Sequence, residues 1–321
     1  MSERKPTIVD TASPRAGFEL AVVWGTRFEL LVAMYAAAGA RGELWLHLLG
    51  LALDSAAPDA GSFIDEVAGM PALELRRHVL GLYVPSWRHV AGAGTIEQAA
   101  RGDADACRRL LGNRRYYAGA ARPALGGLLP LGARQTKSRL VAALRAFHED
   151  DFAIREDELR RRLGAEAAET AAWTAALDPY EAIDRAAGGY RYAAEAEFDQ
   201  VVLVPQLAAS PSILLCQHRS TRLICHPVRG GDATPRHLLV ALGRALADEK
   251  RVAMLERLRR GDATLAELAR EAGVAKSTAH HHLTQLRAAR LITLQGNAAG
   301  YSYSVDPAGF VAAERLLGGF R

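Results

Sequence analysis

The sequence predicts a mainly α protein: a long helical N-terminal domain with a small β segment, then a short C-terminal domain of helices closed by a strand pair. Three observations lead there. At 321 residues the chain is longer than one small domain needs and suits two. Ala, Leu and Arg dominate while aromatics make up only 7%, which favours helix over an all-β fold. The charge is divided unevenly. Residues 236–321 hold 13 Lys and Arg against 8 Asp and Glu, whereas the preceding 235 residues hold 27 against 28. The net charge of +4 therefore sits in the last quarter of the chain, which suggests a nucleic-acid-binding appendage. The expected domains are 1–235 and 236–321.

Composition also excludes classes. With 50% hydrophobic and 24% charged residues the chain is globular and not disordered. Three cysteines cannot build a disulfide framework, so a reducing cytoplasm is the expected compartment. No uncharged apolar run approaches the ~18 residues that span a bilayer. The longest lies in residues 44–53 and contains His47. Early charge with no apolar stretch behind it argues against a secretory leader. The expected protein is soluble, with no membrane partner.

The elements follow in order. Residues 1–15, polar with two prolines, read as a loose arm. From Phe18 a helical pattern is expected through Leu20, Val22 to Trp24, Phe28, Leu30, Leu31, Met34 and Tyr35. A second apolar helix is expected over 44–53, a loop over 55–60, and helices over 72–81, 95–111, 136–152 and 156–176. Asp178-Pro179 and Gly188-Gly189 punctuate the chain beyond. The texture then turns to β: residues 201–204 read as a strand ended by Pro205. Residues 213–216 and 223–225 read as a strand pair turning at Arg219 and Ser220. Gly230-Gly231-Asp232 reads as a linker. From His237 the chain is helical again, with Leu238, Leu242 and Leu246 at i, i+4 spacing. Asp248 is placed to cap a helix that stops at Gly261.

The best local signal is Thr264-Leu265-Ala266-Glu267, a capping box, followed by Gly273 as a left-handed C-cap. A second helix is expected over 276–289. Ala279, His282, Leu283 and Leu286 share one face of it, while Ser277, Thr278, His280, His281, Thr284 and Gln285 fall mostly on the other. One side can pack on the preceding helix while short polar side chains and imidazoles reach base edges. Lys276 adds charge at its start, and Arg287 and Arg290 follow. Two strands around residues 296–300 form a hairpin, and Pro307 opens a last helix with Phe310, Val311, Leu316 and Leu317. The whole reads as a winged helix-turn-helix.

These motifs (Leu246 to Arg251, Leu265 to Arg270, Lys276 to Leu283 and Leu286 to Ile292) resemble the winged helix-turn-helix of ArsR-type bacterial repressors over roughly residues 236–317. The resemblance implies a homodimer that binds double-stranded operator DNA and occludes a promoter until an effector releases it. By position it carries Lys276, Ser277, Thr278, His280 and His281 over as DNA-reading candidates. Thr284, Gln285 and Arg287 extend the set. Two departures stand out. Arg290 occupies a place usually held by glycine, which argues against a left-handed cap there and for a longer helix. The wing, residues 295–300, carries no Arg or Lys, so the helix must do more of the work. The first 235 residues resemble, more loosely, the helical N-terminal region of unknown function found fused to some ArsR-type domains.

Three functions fit. First comes a homodimeric repressor released by a small molecule bound in the N-terminal domain. All four Trp and seven of nine Tyr lie before residue 236, and Tyr83, Trp87, Tyr116 and Tyr117 are the candidate pocket residues. Second comes a metal or thiol sensor using Cys216, His218, Cys225 and His226. Cys216 and His218 would share a strand face, but Cys225 and His226 point oppositely, so at most three converge. Buried apolar cysteines are the commoner outcome. The familiar ArsR metal sites are absent: residues 265–270 have no cysteine, and residues 307–317 have no histidine. The triple histidine 280–282 cannot chelate one ion, because neighbours on a helix point ~100° apart. Third comes a protein that uses the winged helix for protein contacts. No enzyme and no cofactor are expected. There is no G-x-S-x-G, H-E-x-x-H or phosphate loop. Gly92-Ala-Gly94 lacks a third glycine, His148-Glu149-Asp150-Asp151 reads as helix-end acids, and Arg160 to Arg162 read as a solvated face.

Overall fold

The computed structural model describes residues 9–11, 17–38, 42–117, 122–228, 235–297 and 300–319. Among these the strands are β1 (Val9–Thr11), β2 (Glu19–Val22), β3 (Tyr190–Arg191), β4 (Gln200–Gln206), β5 (Leu214–His218), β6 (Thr221–Pro227), β7 (Ile292–Asn297) and β8 (Gly300–Val305). The main sheet is ordered β1-β2-β4-β6-β5. Its centre is parallel, β2 on β4 on β6, and its edges are antiparallel. The β2-to-β4 crossover carries most of the helices, since parallel strands cannot be joined by a tight turn.

Those helices are α1 (Thr26–Ala38), α2 (Glu43–His47), α3 (Leu49–Asp54), α4 (Ala60–Gly69), α5 (Ala72–Val79), α6 (Pro85–Ala91), α7 (Ala93–Ala100), α8 (Ala104–Gly112) and α9 (Arg122–Leu128). Then follow α10 (Ala133–Phe147), a π-helical turn (His148–Phe152), α11 (Ala153–Thr174) and α12 (Pro179–Ala187). The C-terminal part adds α13 (Pro235–Leu246), α14 (Glu249–Leu258), α15 (Leu265–Glu271), α16 (Lys276–Ala288) and α17 (Pro307–Gly318).

The sheet is a partition. Residues 201–204 of β4 are all buried, as a strand covered on both faces requires. Val202, Val204, Leu223 and Cys225 pack with α1 to α5. Val201, Leu203 and Ile224 point the other way, into a cluster that runs through Ile183 to Met254, Leu283 and Leu286. The period-2 alternation of the strands thus sends one set of side chains to the N-terminal helices and the other toward the C-terminal domain. A third cluster, under α7 to α9, holds Ile96, Leu110, Tyr116, Tyr117 and Leu125.

The fold is mainly α with small sheets, as expected, but several elements differ. Residues 19–22 form a strand and not a helix start, because β4 offers Glu19–Val22 a parallel partner from Gln200 to Leu203. Pro205 does not end β4. Val23 N–H bonds Leu203 O at 3.0 Å and Val228 N–H bonds Gln206 O at 2.9 Å, so odd residues of β4 face β2 and even ones face β6. The N–H that Pro205 lacks would point where β2 has already ended. The helix expected over 44–53 breaks at Leu48. That expected over 95–111 breaks at Gly102, left-handed at φ +95°, with Asp103 capping α8 at 2.7 Å. The two long helices instead run together through the π turn. Helices α4, α6, α9 and α12 were not anticipated. Asp178, Pro179 and Gly188 do not merely interrupt; they are the N-cap, first residue and left-handed C-cap of α12. Val9–Thr11 in the expected arm pair with β2. The rest of that arm before Gly17, and the expected linker, lie outside the described residues.

Candidate nucleic-acid interface

The C-terminal domain is built around α15 and α16. Asp248 accepts the Arg251 N–H at 3.1 Å and starts α14. Thr264 and Glu267 close the capping box: Glu267 N–H reaches Thr264 Oγ1 at 3.3 Å, and Thr264 N–H reaches the Glu267 carboxylate at 2.8 Å. Gly273 is left-handed at φ +65°, with Val274 N–H returning to Ala269 O at 3.0 Å. This fixes the turn from α15 to α16. Leu268, Ala269, Ala279, Leu283 and Leu286 are buried between them.

On α16 the polar residues divide into two groups. Lys276, Ser277, Thr278, His280 and His281 are exposed. Ala275 supplies no side-chain cap, so the first-turn amides of α16 are open to an anion. Gln285 is half-buried. The surrounding protein, with Arg287 and His281 nearby, lowers the His280 imidazole below its ordinary value, leaving it neutral at pH 7. His282 lies on the packed side, 3.3 Å from the Arg251 guanidinium and 3.8 Å from Asp248.

Thr284 and Arg287 depart from the expected reading set. The Thr284 hydroxyl donates to His280 O at 2.9 Å, one turn back along its own helix. Arg287 is buried, and its guanidinium donates to Ala187 O, to Gly188 O at 2.9 Å and to Pro211 O at 3.0 Å. Burial lowers it to about 10, still charged at neutral pH. It clamps α16 to the N-terminal residues, with three of its five N–H groups committed to backbone carbonyls.

Arg290 also departs from expectation, in the opposite sense. It is left-handed at φ +59° despite not being glycine, and α16 ends at Ala288. Gly309 packs on it so closely that a Cβ there would meet the Arg290 carbonyl. The wing sheet is ordered β3-β7-β8, with Ala263 bridging to Tyr303 on its far side. Its third strand, β3, comes from before residue 236 and pairs Tyr190 with Leu294 and Arg191 with Gln295. Exposed Arg191 therefore stands beside a wing that has no basic residue of its own. No local signal marked it, since a two-residue strand from a hundred residues away has no periodicity to read.

The aromatic candidates form a structural knot. Trp87 stacks on Tyr117 with centroids 5.5 Å apart and meets Tyr116 edge-on at 5.3 Å. Trp87 Nε1–H donates to His47 Nε2 at 2.9 Å, and the Tyr117 hydroxyl donates to Val79 O at 2.6 Å. Tyr83 is apart from them and donates to Glu74 at 2.6 Å. Trp87 borders a recess of about 210 Å³. The hairpin is as expected: Cys216 faces Leu223, Cys225 faces Leu214, and His226 falls on the opposite strand face from Cys225. Burial pushes the Cys216 thiol up to about 12 and Cys225 upward as well. His218 is 2.9 Å from Asp54. Among the described residues no three His, Cys, Asp or Glu are grouped to hold a metal, and no helix is long and apolar enough to cross a membrane.

Residues 248–293 match the family model described as "Bacterial regulatory protein, arsR family". The chain is 37% identical over 76 residues to the HTH-type transcriptional regulator Rv2034 of Mycobacterium tuberculosis, covering 24% of this chain and 71% of that protein. Among solved structures it overlaps NolR from Sinorhizobium fredii at 23% identity, over 28% of this chain and 92% of that one, with a TM-score of 0.23.

Proposed function

We propose, from the premise that the chain belongs to the arsR family of bacterial regulatory proteins, that this DNA-binding regulator acts as a homodimeric repressor released by an effector. The observation that carries it is α16, whose exposed Ser277, Thr278, His280 and His281 stand beside an uncapped helix start on a firmly capped scaffold. That helix enters the major groove; Lys276 and the free amides hold phosphate, and the imidazoles and hydroxyls meet base edges. Arg191 supplies the wing with a phosphate contact. Residues 1–235 are the sensing part and 236–321 the DNA-binding part.

The second copy docks on α13 and α17. Leu238, Val240 and Leu246 on α13 and Phe310, Val311 and Leu317 on α17 are all large, apolar and exposed, and the two helices lie against each other. A patch of that kind marks an interface. Two-fold pairing there sets two reading helices about 34 Å apart on a palindromic operator.

The test is His281→Ala with Thr278→Ala, compared with wild type on selected duplex DNA. Both side chains are exposed, so folding is unaffected. Specific affinity falls at least tenfold while the far-ultraviolet circular dichroism stays the same. Unchanged affinity would remove α16 as the reading helix.

A further inference from the structure

A cleft of about 910 Å³ separates the reading helix from the N-terminal part. One wall is C-terminal: Lys276, Ser277 and His280 on α16, with Tyr303 from β8. The opposite wall is N-terminal: Tyr35 and Ala36 at the end of α1, and Ala209, Ile213 and Leu215 around β5. The body of the lining is apolar. Among the described lining residues there is no Asp or Glu, while Lys276 and Arg287 are cationic. The hydroxyls of Tyr35 and Tyr303 make no hydrogen bond among the described residues. The open amides of α16 begin at the same edge. The volume is that of a site for a drug-sized molecule.

We propose that this cleft is the effector site and that its ligand is an apolar organic acid. The apolar body lies between Ile213, Leu215 and the wing, and the acid group meets Lys276 and the start of α16. The tyrosine hydroxyls donate to its remaining acceptors. An amine of the same shape meets two like charges and no carboxylate, so the site discriminates by sign. The proposal rests on α16 being the DNA-reading helix. Ser277 and His280 belong both to this wall and to the exposed reading face. A ligand that bridges them to the N-terminal part and DNA that needs them free are therefore mutually exclusive, and each weakens the other by the same factor.

The probe is 1-anilinonaphthalene-8-sulfonate, an apolar aromatic anion, titrated by fluorescence into the full-length protein with and without operator duplex. Two variants fill the cleft from the wall that does not read DNA, Ala36→Trp and Ala209→Trp. The expected result is saturable binding that both variants weaken at least tenfold, with thermal unfolding and DNA affinity unchanged. Duplex raises the apparent dissociation constant of the probe, and an apolar quaternary ammonium dye of similar size binds at least tenfold more weakly. Probe binding untouched by both variants would overturn the site, and equal binding of the cationic dye would overturn the ligand class. If the chain bound no DNA but lost the probe in both variants, the cleft would stand and the DNA-reading role of α16 would fall. If DNA bound normally and the probe did not, the cleft would fall alone.

Discussion

His47 shows how much one side chain is asked to hold. Its Nδ1 lies 3.0 Å from Val79 O and 2.7 Å from the Tyr117 hydroxyl, and its Nε2 accepts from Trp87. An indole can only donate, so the neutral ring with hydrogen on Nδ1 is the form that fits. Burial holds the imidazole down at about 4, and His78 is held there too. The unfolded chain therefore binds protons first. Stability is complete above pH 6.5 and falls as pH drops toward 4, by about 1.4 kcal/mol per unit for each histidine. Denaturant unfolding at pH 7, 6 and 5 measures this, and His47→Gln flattens the slope. A wild-type stability level across that range would contradict it. Arg290 is the second case. A left-handed non-glycine residue carries ~1 kcal/mol of strain, offset in part by the half-exposed contact with Asp184 at 3.5 Å. Arg290→Gly raises unfolding free energy by up to about 1 kcal/mol, read from the urea midpoint; a loss would show that the Asp184 contact outweighs the strain. The sequence marked this position as unusual but implied a longer helix. Local preference was overruled by the packing of Gly309 on the Arg290 carbonyl.

At the scale of elements, capping chemistry was the most legible part of the sequence. The Asp248 cap, the Thr264–Glu267 box and the Gly273 turn are all where their residue types place them, because each is settled within a few residues. Thr264→Ala removes the side-chain half of the box and costs about 1 kcal/mol, measurable by thermal unfolding; no change would mean that tertiary packing alone holds α15. Elements settled by distant partners were not legible. β2 needs β4, and β3 needs β7, across far more chain than any periodicity window spans. The same holds for Arg287. Its place on α16 suggested a reader, yet its partners are the carbonyls of residues 187, 188 and 211. Arg287→Met removes those charged bonds, lowers stability by about 1.5–3 kcal/mol and raises hydrogen exchange in β3. Unaltered exchange would show that the clamp does not hold the two parts together.

On the whole-molecule scale the division of charge along the chain was legible, and so was the match of its last quarter to a regulator family. The layering was not. A sheet whose alternating faces serve two cores, and a wing completed by a strand from before residue 236, make the DNA-binding part continuous with what precedes it. On the proposal that α16 reads DNA, regulation needs no separate linkage device, because anything that shifts the N-terminal part against α16 acts on that helix directly. The proposed dimer rests on the exposed apolar face of α13 and α17. Leu238→Glu with Phe310→Glu converts a dimer to a monomer in sedimentation velocity and weakens operator binding. A dimer that persisted would place the interface elsewhere.

The most direct test of DNA reading by α16 is titration of the full-length protein against the duplex upstream of its own gene, with random duplex as competitor, at two salt concentrations. The expected result is binding that survives the competitor and weakens steeply as salt rises, the signature of base contacts supported by phosphate contacts. Binding equal to that of random duplex, on this and on every duplex recovered from a randomised pool, would contradict it.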